Sequence, residues 1–295
     1  MKQNIQFIAP LLILLLTVPV YGQELQDKFF DSNGVRIRYI EQGKGEPVVL
    51  VHGFGSSIEA NWVTPGVVSK LASSFRVIAM DCRGFGKSDK PHGREKYGPE
   101  MSLDIVRLLD HLKIQKAHIV GYSMGAVITA KLLTMHPGRF LTATFGGSPG
   151  RLAWLPEENA ASHEQRANEY EKGSFRSLIL ATWPSDQPPP TEEEIRKREA
   201  TYVGKDLVAL ASVQRGIPDQ VVTAAQMASI KVPAISIVGT ADPLLKRIEE
   251  LKKVMPQLKI VTIEGATHSG DRGAVRRPEF VHALQDFLKA HSIKK

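Results

Sequence analysis

The chain has 295 residues, of which 42% are hydrophobic and 23% charged, proportions that are ordinary for a globular protein. This composition excludes a collagen-like, low-complexity or mainly disordered chain. The formal net charge is +7, but both signs are interspersed without a long run of Lys or Arg, so no nucleic-acid partner is predicted. The single cysteine, Cys82, excludes an intramolecular disulfide and a multi-cysteine metal site.

Residues 1–22 predict a secretory signal peptide. Lys2 precedes an almost wholly apolar stretch over residues 7–20, and the small residue Gly22 suits cleavage directly after it. An uncleaved membrane anchor is the alternative, but this stretch is shorter than the roughly 20 residues that a spanning helix needs. We therefore expect a protein that is exported to the periplasm or secreted, with no stable membrane insertion after cleavage.

Short apolar runs alternate with helical patterns along the remaining chain. Residues 28–43 alternate apolar and polar side chains around Asn33-Gly34, which predicts an antiparallel hairpin. Runs rich in Val and Ile predict six further strands, buried on both faces, at 47–51, 75–80, 117–120, 141–145, 234–238 and 259–263. Three- and four-residue apolar steps predict helices around 103–112, 127–133, 244–255 and 280–288. This alternation indicates an α/β fold with a mostly parallel central sheet covered on both faces.

The stretch 149–230 lacks strand-like runs and predicts an inserted helical cap. Helical patterns at 163–180 and 192–211 flank the proline-rich segment 184–190. Their apolar content favours a cap over a disordered excursion, which is the alternative. The predicted core domain comprises the two flanking segments, 23–148 and 231–295.

A strand, a sharp turn and a helix are predicted to meet at Gly121-Tyr122-Ser123-Met124-Gly125. A G-x-S-x-G pattern in this place is typical of a nucleophile elbow, in which a strained turn lifts the serine hydroxyl clear of the sheet. The two glycines leave room for close packing of the backbone. An ordinary glycine-rich turn is the alternative interpretation. The placement predicts Ser123 as a nucleophile.

Two further strand ends carry the groups that a serine nucleophile needs. Asp242 follows the predicted strand 234–238, and His268 lies in the loop after the next strand, 259–263. Both loops fall on one edge of the sheet, because the carboxyl ends of parallel strands meet there. The pattern predicts a catalytic triad in which His268 is the base and Asp242 orients it.

A third strand end predicts an oxyanion hole. The run 47–51 leads into His52-Gly53-Phe54-Gly55, a glycine-containing turn. Met124 directly follows the serine at the predicted start of a helix, whose dipole favours negative charge. The backbone N–H groups of Phe54 and Met124 are therefore the expected donors to an oxyanion.

In these motifs the chain resembles the α/β-hydrolase fold superfamily, from about residue 29 to the C-terminus. It is most similar to the serine-nucleophile branch that contains esterases and lipases with a helical cap. The segment Asp81-Cys82-Arg83-Gly84-Phe85-Gly86-Lys87-Ser88-Asp89 also resembles the family's D-x-R-G-x-G-x-S element. The resemblance implies the roles given above for Ser123, Asp242, His268, Phe54 and Met124, a structural role for this segment, and a reaction without metal or organic cofactor.

The resemblance implies hydrolysis of a small-molecule ester through an acyl-enzyme. Family members that cleave carbon-halogen bonds or epoxides typically carry aspartate at the elbow, so Ser123 argues against both reactions. We expect a carboxylesterase acting on a small or medium-sized apolar acyl substrate. Carbon-carbon bond hydrolase, aminopeptidase and perhydrolase are the alternatives on the same triad, and a non-catalytic ligand-binding protein is the alternative of another class. The oligomeric state stays open.

Four aromatic side chains are candidates for the wall of a substrate pocket. Phe54 and Tyr122 are chosen because they lie in the predicted catalytic loops. Trp62 and Trp183 are chosen as large apolar side chains, and for both of them simple packing is the alternative. Cys82 is expected to be a packed core thiol and not a nucleophile.

Overall fold

The computed structural model describes residues 25–155 and 160–293, so the predicted signal peptide lies outside the described residues. The strands are β1 (Lys28–Asp31), β2 (Arg36–Gln42), β3 (Pro47–Val51), β4 (Arg76–Met80), β5 (Ala117–Tyr122), β6 (Phe140–Gly146), β7 (Ala234–Gly239) and β8 (Lys259–Ile263). They form one sheet in the order β1-β2-β4-β3-β5-β6-β7-β8. The bounds of the predicted strands are confirmed to within two residues.

The chain enters this sheet through the predicted hairpin. β1 and β2 are antiparallel, and the turn between them has positive φ at Asn33 (57°) and Gly34 (80°). Asn and Gly adopt this conformation at low cost, which is why the dipeptide marks the turn. β2 also pairs antiparallel with β4, and the strands from β3 to β8 are parallel to one another.

Helices cover both faces of the sheet. Those of the described ranges are α1 (Val67–Leu71), α2 (Pro99–His111), α3 (Met124–Met135), α4 (Ala160–Glu171), α5 (Arg176–Ala181), α6 (Glu192–Glu199), α7 (Leu207–Gly216), α8 (Ala224–Ser229), α9 (Leu245–Val254) and α10 (Pro278–Ala290). Alternate residues of β3 belong to two separate apolar layers, one shared with α2 and α3 and the other with α1 and α10. The predicted α/β architecture is thereby confirmed.

Helices α4 to α8 lie between β6 and β7, where the cap is predicted. The ring of Tyr170 on α4 stacks on Phe175 (4.6 Å between centroids), which stacks in turn on Tyr202 (3.7 Å). Phe54 lies 5.4 Å from the Tyr170 ring, so these aromatic contacts join the cap to the loop after β3. The last helix, α8, packs against α3 and α9, which places it in the layer that covers the sheet although the predicted cap segment includes it.

Candidate active site

Ser123 lies at the turn between β5 and α3 with φ 54° and ψ −112°. A residue with a Cβ is strained in this conformation, and such strain persists only where the surroundings enforce it. Here the Ser123 N–H donates to the carbonyl of Gly146 on the neighbouring strand (2.8 Å). A Cβ at Gly121 would overlap the carbonyl of Gly125, and a Cβ at Gly125 would overlap the carbonyl at the end of β3. Both glycines are therefore required by the turn.

The structure brings Ser123, His268 and Asp242 together. His268 Nε2 lies 2.9 Å from Ser123 Oγ, and His268 Nδ1 lies 2.9 Å from Asp242 Oδ2. An ionised carboxylate only accepts hydrogen bonds, so Nδ1 carries the proton and donates to Asp242. Nε2 is then unprotonated and accepts the hydrogen bond of the Ser123 hydroxyl. This arrangement can move the hydroxyl proton to His268.

Further hydrogen bonds hold the buried Asp242 and His268 in position. The Leu244 N–H donates to Asp242 Oδ1 (2.9 Å), and the Tyr122 hydroxyl donates to the main-chain carbonyl of His268 (2.7 Å). Burial raises the pKa of Tyr122, so its hydroxyl stays a donor. Gly147 has φ +63°, and a Cβ there would lie 3.3 Å from both Asp242 Oδ2 and His268 Nδ1. Glycine leaves room for the pair at this point.

The loop after β3 lies directly beside the serine. A Cβ added at Gly53 would be 3.2 Å from Ser123 Cβ. The Gly53 N–H donates to Asn61 Oδ1 (3.0 Å), which fixes the start of the turn that contains Phe54. Met124 is the first residue of α3. The first N–H groups of a helix have no acceptor within the helix, and its dipole favours an anion there.

The segment that begins at Asp81 braces this loop. His52 Nδ1–H donates to the Gly53 carbonyl (2.7 Å), and its Nε2 accepts the N–H of Cys82 (3.0 Å). Burial lowers the pKa of His52, in keeping with a neutral ring. The Asp81 carboxylate accepts the N–H of Ile58 (2.8 Å). Burial raises the pKa of the Cys82 thiol well above its usual range, so this cysteine is a packed thiol with little nucleophilic character.

Ser123 and Phe54 line two cavities. The cavity under the cap has a volume of about 120 Å³ and is bounded by Met124 together with residues of α4, α5 and α7. The other cavity has a volume of about 210 Å³ and is bounded by His268, Tyr122 and the loop after β8. Phe54 and Tyr122 thus lie where the sequence places them, although the Tyr122 hydroxyl is bound to His268.

The structure corrects the prediction for both tryptophans. Trp62 is fully buried in the apolar layer shared with α1, because it lies on a short π-helical turn, Glu59–Val63, that turns it toward the sheet. Trp183 is half-buried, its Nε1–H donates to the carbonyl of Pro188 (2.7 Å), and the Arg198 guanidinium lies 4.4 Å from its ring centroid. Neither tryptophan lines a cavity beside Ser123.

Sequence reasoning missed five residues at this site: Asn61, Gly147, Arg151, Arg166 and Arg247. Arg151 follows the carboxyl end of β6 by a few residues, and this position could have singled it out. The other two arginines lie on α4 and α9, where the sequence pattern does not show which way a polar side chain points. Both line the cavity under the cap with Arg151.

Within residues 25–155 and 160–293, no helix is long and apolar enough to cross a membrane. The same ranges contain no group of three or more His, Cys, Asp or Glu side chains that could hold a metal ion.

Comparison with known proteins identifies the family to which this fold belongs. A family model described as alpha/beta hydrolase fold matches residues 46–270. The chain belongs to the α/β-hydrolase fold family. An epoxide hydrolase from Vigna radiata superimposes with a TM-score of 0.69 over 90% of this chain and 99% of that chain, at 18% identity. At this identity the likeness shows a shared fold alone.

Two relatives of known name show how far the similarity extends. A 2-hydroxy-6-oxo-6-(2'-aminophenyl)hexa-2,4-dienoic acid hydrolase of Metapseudomonas resinovorans is 35% identical over 136 residues, which are 45% of this chain and 46% of the relative. A pimeloyl-(acyl-carrier protein) methyl ester esterase of Aeromonas hydrophila subsp. hydrophila is 26% identical over 258 residues, which are 83% of this chain and 96% of the relative. Four relatives, the dienoic acid hydrolase among them, are matched over only 30% to 46% of their own length.

Proposed function

We propose that this protein is a serine hydrolase that cleaves a carboxylic ester through a covalent acyl-enzyme. The observation that carries the proposal is the continuous hydrogen-bonded chain from Ser123 Oγ through His268 to Asp242, with 2.9 Å at both links. A serine hydroxyl is a weak nucleophile unless a neighbouring base takes its proton. In this site the base is in contact with the hydroxyl and is itself oriented by a carboxylate.

In the first half-reaction, Ser123 Oγ attacks the ester carbonyl carbon while its proton passes to His268 Nε2. Asp242 stays ionised and stabilises the imidazolium that forms. The backbone N–H groups of Phe54 and Met124 donate hydrogen bonds to the carbonyl oxygen and stabilise its negative charge. The bond to the alcohol oxygen then breaks as His268 Nε2–H protonates that oxygen, which leaves the acyl group on the serine.

The second half-reaction repeats these steps with water as the nucleophile. His268 takes a proton from water while the water oxygen attacks the acyl carbon. The same two N–H groups donate hydrogen bonds to the carbonyl oxygen, which again becomes negatively charged. The bond between the acyl carbon and Ser123 Oγ then breaks, and His268 returns the proton to Ser123 Oγ as the acid leaves. One ester and one water molecule give one acid and one alcohol.

The similarity to a methyl ester esterase over 83% of this chain supports ester hydrolysis. A second candidate is carbon-carbon bond hydrolysis, which the similarity to the dienoic acid hydrolase favours. The compound in that relative's name contains neither an ester nor an amide, so its hydrolysis must break a carbon-carbon bond. The same serine and histidine would serve that reaction.

Hydrolysis of 4-nitrophenyl esters of increasing acyl length tests the proposal. We expect wild-type turnover, and a loss of kcat of about 10⁴-fold or more in Ser123→Ala. Ser69→Ala, which removes an exposed hydroxyl on α1, is the matched control and is expected to keep full activity. Absence of ester turnover, with cleavage of a 2-hydroxy-6-oxo-dienoic acid that Ser123→Ala abolishes, would replace ester hydrolysis by the second candidate.

We also propose that the protein is exported. The support is the sequence of residues 1–22, with its apolar stretch and the small Gly22 at the expected cleavage position. N-terminal sequencing of the protein made by its native host tests this. A chain that begins near Gln23 supports export with cleavage. A chain that begins at Met1 contradicts cleavage, and its recovery in the membrane fraction would favour the uncleaved anchor.

A further inference from the structure

The cavity under the cap is lined by an unusual set of charges. Arg151, Arg166 and Arg247 all contribute to its wall, and among the residues that the structure describes no Asp or Glu lines it. The three come from different parts of the fold: the loop after β6, helix α4 of the cap, and helix α9 of the core. Their side chains therefore converge on one space from both the cap and the core.

All three arginines are half-buried, and a guanidinium group offers five N–H donors and no acceptor. Each of them makes further polar or electrostatic contacts within the protein. What the three arginines share is their convergence on one cavity. Two buried polar side chains, His163 and Gln214, complete this part of the wall and are joined by a hydrogen bond of 2.7 Å.

The chemistry of the triad indicates which part of an ester occupies this cavity. His268 must protonate the leaving oxygen, so the alcohol part has to lie beside His268, which lines the cavity of about 210 Å³. His268 does not line the cavity under the cap. The acyl part therefore points into the cavity under the cap, toward the three arginines.

We propose that the acyl part of the substrate carries a free carboxylate, which the cluster of Arg151, Arg166 and Arg247 binds. This deepens the proposed function and rests on it. Guanidinium groups match the planar carboxylate and bind it through paired hydrogen bonds. A cavity of about 120 Å³ is slightly smaller than one that holds benzene. It has room for a succinyl or glutaryl chain, and the predicted substrate is the half-ester of a short dicarboxylic acid.

A pair of esters of equal shape tests the proposal. Monomethyl glutarate carries the carboxylate, and methyl 5-methylhexanoate replaces it by an uncharged isopropyl group. Their hydrolysis is followed by pH-stat titration with wild-type protein, Arg166→Gln, Arg247→Gln, and Arg176→Gln as a matched control. Arg176 lies on cap helix α5 outside the cavity, where it is exposed and paired with Glu192.

We expect wild-type kcat/KM to be at least about tenfold higher for the half-ester than for the neutral ester. Arg166→Gln and Arg247→Gln should each lower kcat/KM for the half-ester by about 10- to 100-fold, the usual effect of losing a hydrogen bond to a charged group. Neutral-ester kcat/KM should fall much less than half-ester kcat/KM in both variants, and circular dichroism checks that the variants are folded. Arg176→Gln should behave as the wild type.

Equal kcat/KM for both esters, or equal losses on both esters in the arginine variants, would overturn the proposal while leaving serine catalysis intact. If wild type hydrolyses neither ester, the proposed function fails, and calorimetry with glutarate and Ser123→Ala protein decides the carboxylate site separately. Binding that weakens at least about tenfold when Arg166→Gln is added supports the site. Absence of binding, or binding of inorganic phosphate in place of glutarate, overturns it.

Discussion

Replacement of Tyr122 by phenylalanine separates a positioning role from a substrate contact. Sequence analysis predicts Tyr122 as a substrate-binding residue, but its hydroxyl donates to the His268 carbonyl at 2.7 Å. Its ring packs at 6.0 Å from Phe280 and 5.8 Å from the His268 ring. Phenylalanine keeps these ring contacts, so the substitution removes the hydrogen bonds of the hydroxyl and leaves the packing of the ring in place.

The expected effect follows from the burial of both partners. A buried carbonyl that loses its donor costs about 1–3 kcal/mol, which lowers the Tm of a domain of this size by about 2–5 °C. The carbonyl belongs to His268, so its release also loosens the alignment of Nε2 with Ser123 Oγ. Displacement of a catalytic group by 1 Å can cost about 100-fold in rate, and we expect kcat to fall by about tenfold or more. KM should stay within about twofold, since the hydroxyl is turned toward His268.

Steady-state ester hydrolysis and urea unfolding measure these two effects. Tyr97→Phe is the matched control, because the buried Tyr97 also donates to a main-chain carbonyl, that of Pro91 (2.6 Å). It should lose similar stability and keep kcat. A rise in KM with unchanged kcat in Tyr122→Phe would show that the hydroxyl contacts substrate, and the positioning argument would be wrong.

Three further substitutions or conditions test other parts of the site and fold. Asp242→Asn is expected to lower kcat by about 10⁴-fold with the protein still folded, because an amide there favours the wrong tautomer of the histidine; near-normal kcat would remove the residue from the triad. As the pH is lowered from about 6.5, the free energy of unfolding should decrease by up to about 1.4 kcal/mol per pH unit for each of His52 and His118. Burial lowers the pKa of both rings, so only the unfolded chain takes up these protons. A urea midpoint that does not change between neutral and mildly acidic pH would contradict this. Gly125→Ala should abolish activity and lower the free energy of unfolding by about 1–3 kcal/mol or more. Gly138→Ala, whose Cβ would meet no atom within 4 Å, should change neither quantity. Equal stability of the two variants in urea unfolding would show that the turn at Ser123 can relax.

The fold, and the meeting of Ser123, Asp242 and His268 at one place, were predictable because both follow from short-range patterns. Asn33-Gly34 marks a turn by its backbone preference alone, and buried parallel strands are continuous apolar runs. Once the strands are placed, the residues after their carboxyl ends must share one edge of the sheet. Ser123, Asp242 and His268 were found by that rule without any knowledge of distances.

The walls of the cavities could not be predicted because side-chain direction depends on tertiary packing. Trp62 lies close in sequence to the loop after β3, yet a single π-helical turn directs it into the core. Arg166 and Arg247 lie on helices whose polar faces look like ordinary solvated surface in the sequence. Only the placement of the cap over the sheet brings them to one cavity with Arg151.

Covalent labelling of Ser123 is the most direct test of serine catalysis. The protein is incubated with a fluorophosphonate, and intact-mass spectrometry followed by peptide mapping locates the adduct. We expect one adduct per chain, on Ser123, that is absent from Ser123→Ala. We also expect much slower labelling of His268→Gln, since the base is lost. An adduct on another residue, or equal labelling of the Ser123→Ala protein, would contradict the assignment of the nucleophile.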